Sequence, residues 1–243
     1  MSTHDLFKAE NAILAAARTV GEQTNLSPET YRNELVSLIE HYHRLVRESR
    51  RLIAHSDRAE RELNTLNARL HELAVAMEYK ATHDPLTNIY NRGAIIERMT
   101  HSLSKSHVAL VVLDIDYFKC INDEFGHPTG DAVICELVSR VQGVLNGLGD
   151  IGRVGGEEFS IVLAEFSLAQ AVTLVEEIHA SLNQSPLAAL PQRLVTASFG
   201  VSWCPRGTRF EDAYGSADAA LYEAKRQGRN RIMQKTICSA KEY

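Results

Sequence analysis

The chain has 243 residues, 44% of them hydrophobic, so it can bury a sizeable core and form one full domain with an extension. Its net charge of −5, without a continuous run of lysine or arginine, argues against nucleic-acid binding and against an anionic membrane surface. Four cysteines without CxxC spacing argue against a zinc ribbon or a disulfide framework. No stretch approaches the roughly 18 apolar residues that cross a membrane, so we expect a cytoplasmic protein without a membrane span.

Two helices are predicted in the first third of the chain. Apolar side chains recur on one face over residues 4–20, as in an amphipathic helix. A break is predicted over residues 21–26. Ser27, Pro28 and Glu29 then supply an N-cap, a proline in the first turn and an acid near the helix start. Because no further glycine or proline occurs before Pro85, the second helix is predicted over residues 28–82.

The second helix carries a heptad pattern of apolar positions, which we call the seam. Nine basic and nine acidic residues balance its charge, and its length would be roughly 80 Å. A helix of this length would overhang its own domain, so we favour a dimeric coiled-coil stalk. Folding back of the 4–20 helix would turn the upper stalk into a four-helix bundle. The seam consists of Tyr31, Leu35, Leu38, Tyr42, Leu45, Ser49, Leu52, Ser56, Ala59, Leu63, Leu66, Leu70, Leu73 and Met77.

Strands and helices alternate in the remaining residues, 83–243. After a turn-rich opening at residues 83–87, helices are predicted near 91–103, 118–124, 131–145, 167–182 and 210–227. Residues 126–131 are predicted as a loop. Strands are predicted at 108–115, at 194–203, near 231–233 and in a hairpin spanning 151–163. This alternation indicates an α/β fold with a central mixed sheet and flanking helices.

Acidic residues follow two of these apolar runs. Asp114 and Asp116 end the buried strand, where open α/β sheets place their ligands, although a solvated turn would have the same composition. The hairpin tip reads Gly155-Gly156-Glu157-Glu158, with glycines that permit positive φ and close backbone approach. Such a tip could admit phosphate beside acids that hold Mg²⁺, which suits nucleotide chemistry. An exposed hairpin with solvated glutamates is the alternative.

Four segments, taken together, resemble the catalytic domain of diguanylate cyclases, the GGDEF family. Asn88 and Ile89 depart from the usual Gly-Leu of the family's opening motif. The resemblance implies a palm-like nucleotidyl-cyclase domain over residues 83–243, preceded by a helical region, 1–82, for dimerisation and regulation. The segments are Asp84-Pro85-Leu86-Thr87 with Asn91-Arg92; Asp114-Ile115-Asp116-Tyr117-Phe118-Lys119 through Gly130-Asp131; Gly155-Gly156-Glu157-Glu158-Phe159; and Ala217-Asp218 through Gly228-Arg229-Asn230.

The resemblance also implies a role for each site residue. Metal ligands would be Asp114, the Ile115 carbonyl, Glu157 and Glu158, holding Mg²⁺ or alternatively Mn²⁺. Either glutamate could be the base that deprotonates the attacking 3′-hydroxyl of GTP. The phosphate-binding set would be Lys119, Lys225 and Arg229, with Gly155 and Gly156 allowing close approach. The guanine pocket would be Asn122 and Asp131, lined by Phe118 and His127, although His127 could equally be a packed loop residue.

Partners follow from the same resemblance. Condensing two GTP into cyclic di-GMP needs two half-sites, so a homodimer or a higher oligomer is expected, with a regulatory protein on the N-terminal helices. The family's Arg-x-x-Asp product-inhibition motif is replaced by Asn146-Gly147-Leu148-Gly149, so no such site is expected. The alternative is a binding module that holds GTP or cyclic di-GMP without turnover and acts as a scaffold.

Overall fold

A computed structural model describes residues 7–236. These residues fall into two compact units, one ending at Ala74 and the other starting at Val75. The functional division after residue 82 stays a prediction. The elements are α1 (Lys8–Glu22), α2 (Pro28–Thr82), α3 (Arg92–Lys105), β1 (Val108–Ile115), α4 (Phe118–Phe125), α5 (His127–Leu145), β2 (Asp150–Arg153), β3 (Glu158–Ala164), α6 (Leu168–Gln184), β4 (Ala197–Cys204), α7 (Phe210–Arg226) and β5 (Ile232–Thr236).

The long helix α2 has the predicted bounds. Its N-terminus is capped by Ser27, whose Oγ accepts a hydrogen bond from the Thr30 amide at 3.2 Å. Helix α1 starts later than predicted, and residues 4–6 lie outside the described residues. It also runs through Gly21, where a break was expected, because one glycine costs a helix only about 1 kcal/mol.

The lower part of the seam is exposed on α2. Five seam residues keep between 56% and 69% of their surface exposed. A row of large apolar side chains in this state is the kind of exposed patch that marks an interaction surface. No helix among residues 7–236 combines the length and apolar character needed to cross a membrane. The exposed seam residues are Leu63, Leu66, Leu70, Leu73 and Met77.

A five-stranded mixed sheet forms the centre of the second unit. Its strand order is β2-β3-β1-β4-β5, in which only β4 and β5 run parallel. Strand β1 is central, and all eight of its residues are buried, as its continuous apolar run predicted. In register, Asp114 lies opposite Glu158 on one side and Ser198 on the other. The predicted α/β palm-like class is confirmed.

Some predicted element bounds are wrong. Strand β4 begins at Ala197 and not at residue 194, because its partner β1 ends opposite Ala197 at Ile115. Residues 127–131 form the first turn of α5 and not a loop. Helix α4 ends at Phe125 and is followed by Gly126, whose φ is 82°. Pro128 is tolerated in the first turn of α5, because the N–H groups of a first turn have no partner within the helix.

Helix α7 packs closely on β4. A Cβ added to Gly200 would lie 2.1 Å from the Ala217 carbonyl oxygen and 2.4 Å from the Leu221 amide nitrogen. Only glycine at this position lets the helix backbone approach the strand. The close approach sets the position of Lys225, one turn beyond Leu221.

Gly200→Ala tests this packing. The methyl group would force α7 away from the sheet, and we expect a loss of about 1–3 kcal/mol in the free energy of unfolding. Urea denaturation of the full chain measures the loss. Gly143→Ala in α5 is the control, because its added Cβ meets nothing within 4 Å. The free energy of unfolding of Gly143→Ala should rise by about 0.5–1 kcal/mol. Equal stability of both variants would contradict the close packing of α7 on Gly200.

Candidate active site

Carboxylates and one lysine meet at the end of β1. Asp114 is 4% exposed, and its Oδ2 lies 2.8 Å from Lys225 Nζ. Burial raises the pKa of Asp114, and Lys225 opposes this rise only in part. Burial also raises the pKa of Glu157, with a further contribution from the Asp114 charge. A single lysine therefore leaves this cluster short of positive charge.

The cluster fits a hard divalent cation. The Ile115 amide donates to the Glu157 carbonyl at 3.2 Å, but among the described residues no reciprocal bond runs from the Glu157 amide to the Ile115 carbonyl. That carbonyl oxygen can therefore join the carboxylates of Asp114 and Glu157 as a ligand, an all-oxygen set of the kind Mg²⁺ prefers. Within residues 7–236, no group of three His, Cys, Asp or Glu side chains is already arranged around a metal site. Phosphate oxygens and water would complete the coordination, as is usual for Mg²⁺ on nucleotides.

The predicted hairpin is present, but it does not use the positive φ that its glycines would permit. Neither Gly155 nor Gly156 has a positive φ. A Cβ on Gly155 would lie 2.9 Å from Glu158 Oε2, whereas one on Gly156 would meet nothing within 4 Å. Gly155 therefore makes room for the Glu158 carboxylate, and Gly156 leaves the outer side of the tip open.

A salt bridge that sequence reasoning missed holds the hairpin tip. Arg153 donates from Nη2 to the Gly156 carbonyl at 2.7 Å and from Nη1 to Asp84 Oδ1 at 3.2 Å. Burial tends to raise the pKa of Asp84, but hydrogen bonds from Thr87 and the Arg153 charge hold it below its usual value. The turn at residues 84–87 is thereby fixed to the tip.

Two of the predicted guanine-pocket residues lie together between α4 and α5. A Cβ on Gly130 would lie 1.9 Å from Asn122 Oδ1 and 3.2 Å from Phe118 Cζ, so glycine allows both side chains to approach α5. Asp131 is the next residue and is exposed. The exposed side chains of Lys119 and His127 have no hydrogen bond or ion pair with other described side chains. Their site roles stay predictions.

Asp116 does not face the carboxylate cluster as a free ligand. Its carboxylate accepts hydrogen bonds from Ser198 Oγ at 2.6 Å, Thr196 Oγ1 at 2.8 Å and the Asn230 amide at 3.0 Å. The buried Asp116 carboxylate thus already accepts hydrogen bonds from three donors. Of the two aspartates that end β1, only Asp114 can therefore serve a cation.

A family model described as "Diguanylate cyclase, GGDEF domain" matches residues 81–231, which is more than half of the chain. The chain belongs to this family. Among curated relatives, diguanylate cyclase VdcA of Vibrio cholerae is 35% identical over 222 residues, covering 87% of this chain and 63% of its own. Diguanylate cyclase DgcP of Pseudomonas aeruginosa is 38% identical over 159 residues, 63% of this chain but 24% of its own. This chain thus spans less than two thirds of these relatives.

Solved structures agree with the family assignment. The coiled coil and GGDEF domain of DgcB from Caulobacter crescentus, in complex with c-di-GMP, is 31% identical with a TM-score of 0.68. The match covers 72% of this chain and 96% of that one. Diguanylate cyclase SiaD of Pseudomonas aeruginosa, in complex with its activator SiaC, is 30% identical with a TM-score of 0.62. That match covers 96% of this chain and 87% of SiaD. The likeness to SiaD therefore includes the helical region.

Asp114→Asn tests the electrostatics of the cluster. The pKa of Asp114 is raised on folding, so its ionised form costs stability as the pH rises above the unfolded-state pKa of about 4. At pH 7 without divalent metal, the free energy of unfolding of the variant should be about 1 kcal/mol higher than that of the unsubstituted protein. This gain in stability should vanish below the unfolded-state pKa. Chemical denaturation across this pH range measures the difference.

Asp84→Asn is the matched control, and its effect on stability should have the opposite sign. The pKa of Asp84 is lowered on folding, so its ionised form contributes stability that is present at neutral pH and lost in acid. This variant should be less stable at pH 7 and should approach the unsubstituted protein at low pH. If Asp114→Asn followed the Asp84→Asn profile, Lys225 would outweigh burial at Asp114.

Proposed function

We propose that this protein is a diguanylate cyclase that condenses two GTP into cyclic di-GMP and releases pyrophosphate. The observation that carries the proposal is the pair formed by buried Asp114 and half-buried Lys225 beside the two glutamates of the hairpin tip. Family membership and the curated relatives named as diguanylate cyclases support it. GTP occurs in the cytoplasm, where we propose that the protein acts.

The carboxylate cluster would bind the triphosphate through a cation. Asp114, the Ile115 carbonyl and Glu157, with Glu158, would hold Mg²⁺, or Mn²⁺ in its place, and the cation would neutralise phosphate charge. Lys225, which now pairs with Asp114, would be available for a phosphate oxygen when that carboxylate serves as a cation ligand. Lys119 and Arg229 would add charge to offset the negative charge that develops on pyrophosphate.

Proton transfer is assigned to the glutamates. Glu157 lies at the hairpin tip near the Asp114 carboxylate, where it could accept the 3′-hydroxyl proton of GTP. Glu158 lies in register with Asp114 and could share this role. The open side of Gly156 leaves room for substrate to approach the tip.

Guanine recognition is assigned to α4 and α5. The Asp131 carboxylate would accept from the N1–H and N2–H₂ donors of guanine, and the Asn122 amide would bind beside it. Adenine lacks these donors and would leave the carboxylate unpaired, which is costly. Phe118 and His127 would line the pocket.

Two protomers are needed, because one site binds one GTP and the attacked α-phosphate belongs to the other. The exposed seam on α2 supports a parallel homodimer, and the structure of DgcB with its coiled coil shows the same combination of parts in a relative. SiaD has been solved with its activator protein, and we propose that a protein partner likewise binds the N-terminal helices of this chain.

Feedback through the usual product site is not expected. The Asn146–Gly149 segment lacks both charged groups of the family motif. Asn146 and Gly147, with φ of 43° and 81°, form a tight turn at the end of α5. We propose that product does not inhibit the protein at this position.

Glu157→Gln should abolish synthesis of cyclic di-GMP without loss of fold, because it removes a cation ligand and a candidate base from the hairpin tip. Purified protein is incubated with GTP and Mg²⁺, with ATP as the substrate control, and the product is quantified by chromatography. Glu165→Gln, an exposed glutamate just beyond β3, is the control that should retain activity. Substantial product from folded Glu157→Gln would contradict the site. No product from the unsubstituted dimer, despite GTP binding, would favour the binding-module alternative.

Leu66→Asp combined with Leu70→Asp should separate the protomers, because two charges would enter the seam. Light scattering should report a monomer, and cyclic di-GMP synthesis should fall at least about tenfold, since the two half-sites must face each other. Ala68→Asp places one such charge on the opposite face of α2 and should leave the dimer intact. A fully active monomer would rule out control through the seam.

A further inference from the structure

The turn after α7 has an unusual backbone. Three consecutive residues have positive φ: Gly228 at 113°, Arg229 at 63° and Asn230 at 46°. Facing it, Tyr117 before α4 has a φ of 57°. A left-handed conformation is costly for a bulky residue such as tyrosine or arginine, and it persists only where the surroundings enforce it. Such strain is concentrated at functional sites.

Buried hydrogen bonds enforce the turn. The Asp116 carboxylate, 4% exposed, accepts from the Asn230 amide at 3.0 Å. The Asn230 side chain in turn accepts from Asn183 Nδ2 at 3.0 Å and lies 2.8 Å from His179 Nε2. The Arg229 amide donates to the Ala224 carbonyl at 3.0 Å. The backbone on both sides of the Arg229 side chain is thus fixed.

The consequence is a stacked pair. The Arg229 guanidinium carbon lies 4.6 Å from the centre of the Tyr117 ring, within the range of a cation–π interaction. Asp116 directly precedes Tyr117 in the chain. The same short segment therefore binds the turn after α7 through Asp116 and supports Arg229 of that turn through Tyr117. Tyr117 is 53% exposed and its side chain caps no helix amide, so core packing does not explain its strained backbone.

We propose that Tyr117 is a positioning residue, with Asp116 as its anchor, and that it holds the Arg229 guanidinium ready for a triphosphate at the start of α4. The proposal rests on the function proposed above, which supplies the triphosphate. An arginine has several rotatable bonds, and ordering it before binding removes an entropy cost from the binding step. The first turn of α4 presents unpaired amides and a partial positive charge, so an anion bound there would lie beside the stacked guanidinium.

A double-mutant cycle on the full chain tests the proposal. The probe is α,β-methylene GTP with Mg²⁺, a nucleotide that cannot react, and calorimetry measures its dissociation constant. Tyr117→Leu should weaken binding roughly fivefold, as expected from the loss of a cation–π pair of this kind. Arg229→Ala should weaken binding at least as much. Adding Tyr117→Leu to Arg229→Ala should have no further effect, because the tyrosine acts only through the arginine.

Conservative variants separate positioning from folding. Tyr117→Phe keeps the ring and should bind like the unsubstituted protein, whereas a structural role for the hydroxyl would show as a loss. Arg98→Ala removes a pair of similar geometry, 4.5 Å from the Tyr90 ring and remote from the site, and should not change the affinity. In turnover assays, Tyr117→Leu should raise KM for GTP more than it lowers kcat.

The outcomes distinguish this proposal from the function on which it rests. Additive effects of Tyr117→Leu and Arg229→Ala, or unchanged affinity in Tyr117→Leu, would overturn the positioning role even if the protein makes cyclic di-GMP. Coupled losses of nucleotide affinity in a protein that makes no product would support the positioning role and contradict the cyclase activity.

Discussion

The antiparallel pairing of β1 with both β3 and β4 is the constraint on which the site depends. Its register sets Asp114 opposite Glu158 and brings Asp116 within reach of Ser198. Neither aspartate can leave its position without breaking the ladder of a buried central strand. The two aspartates at the end of β1, separated by Ile115, therefore have fixed and different environments. Asp114 meets a lysine and two glutamates, whereas Asp116 meets only neutral donors.

The unfavourable clustering of carboxylates at the end of β1 is offset by favourable packing elsewhere in the unit. Burying Asp114 near other carboxylates is unfavourable, and Lys225 offsets only part of that cost. Lys225 can reach Asp114 because α7 lies directly on Gly200, a contact that depends on the absence of a side chain. The stability of the sheet and helix core thus supports a site that is itself destabilising, a balance that is common where function needs concentrated charge.

Local patterns in the sequence predicted the features that depend on neighbouring residues. The apolar run of β1 and the span of α2 between Pro28 and Pro85 were found in this way. Asn88 also follows local chemistry: its φ of 63° explains why the family uses glycine there and why asparagine is tolerated. The expectation for Gly155 was wrong in its reason, because the glycine is needed for the Glu158 side chain and not for a positive φ.

Contacts between distant residues could not be predicted in the same way. Tyr117 and Arg229 are far apart in sequence, and nothing in either segment alone shows that their side chains stack. Likewise, the pairing of Asp84 with Arg153 depends on how β2 lies beside the opening turn. The family motifs placed Asp84, Tyr117 and Arg229 in matching segments, with Arg153 just outside one, but a motif gives the order of residues and not their contacts.

The same long-range contacts link α2 to the hairpin tip within the second unit. Asn91 donates from its backbone amide to the Thr82 carbonyl at 2.8 Å and from its side chain to the Ala81 carbonyl. These bonds satisfy carbonyls at the helix end that would otherwise lack partners. From Asp84, two residues after Thr82, the ion pair to Arg153 reaches the Gly156 carbonyl. The last turn of α2 therefore cannot rotate about its axis without breaking bonds to Asn91 or straining the turn that holds the hairpin tip, so this end of α2 and the geometry of the tip are mechanically joined.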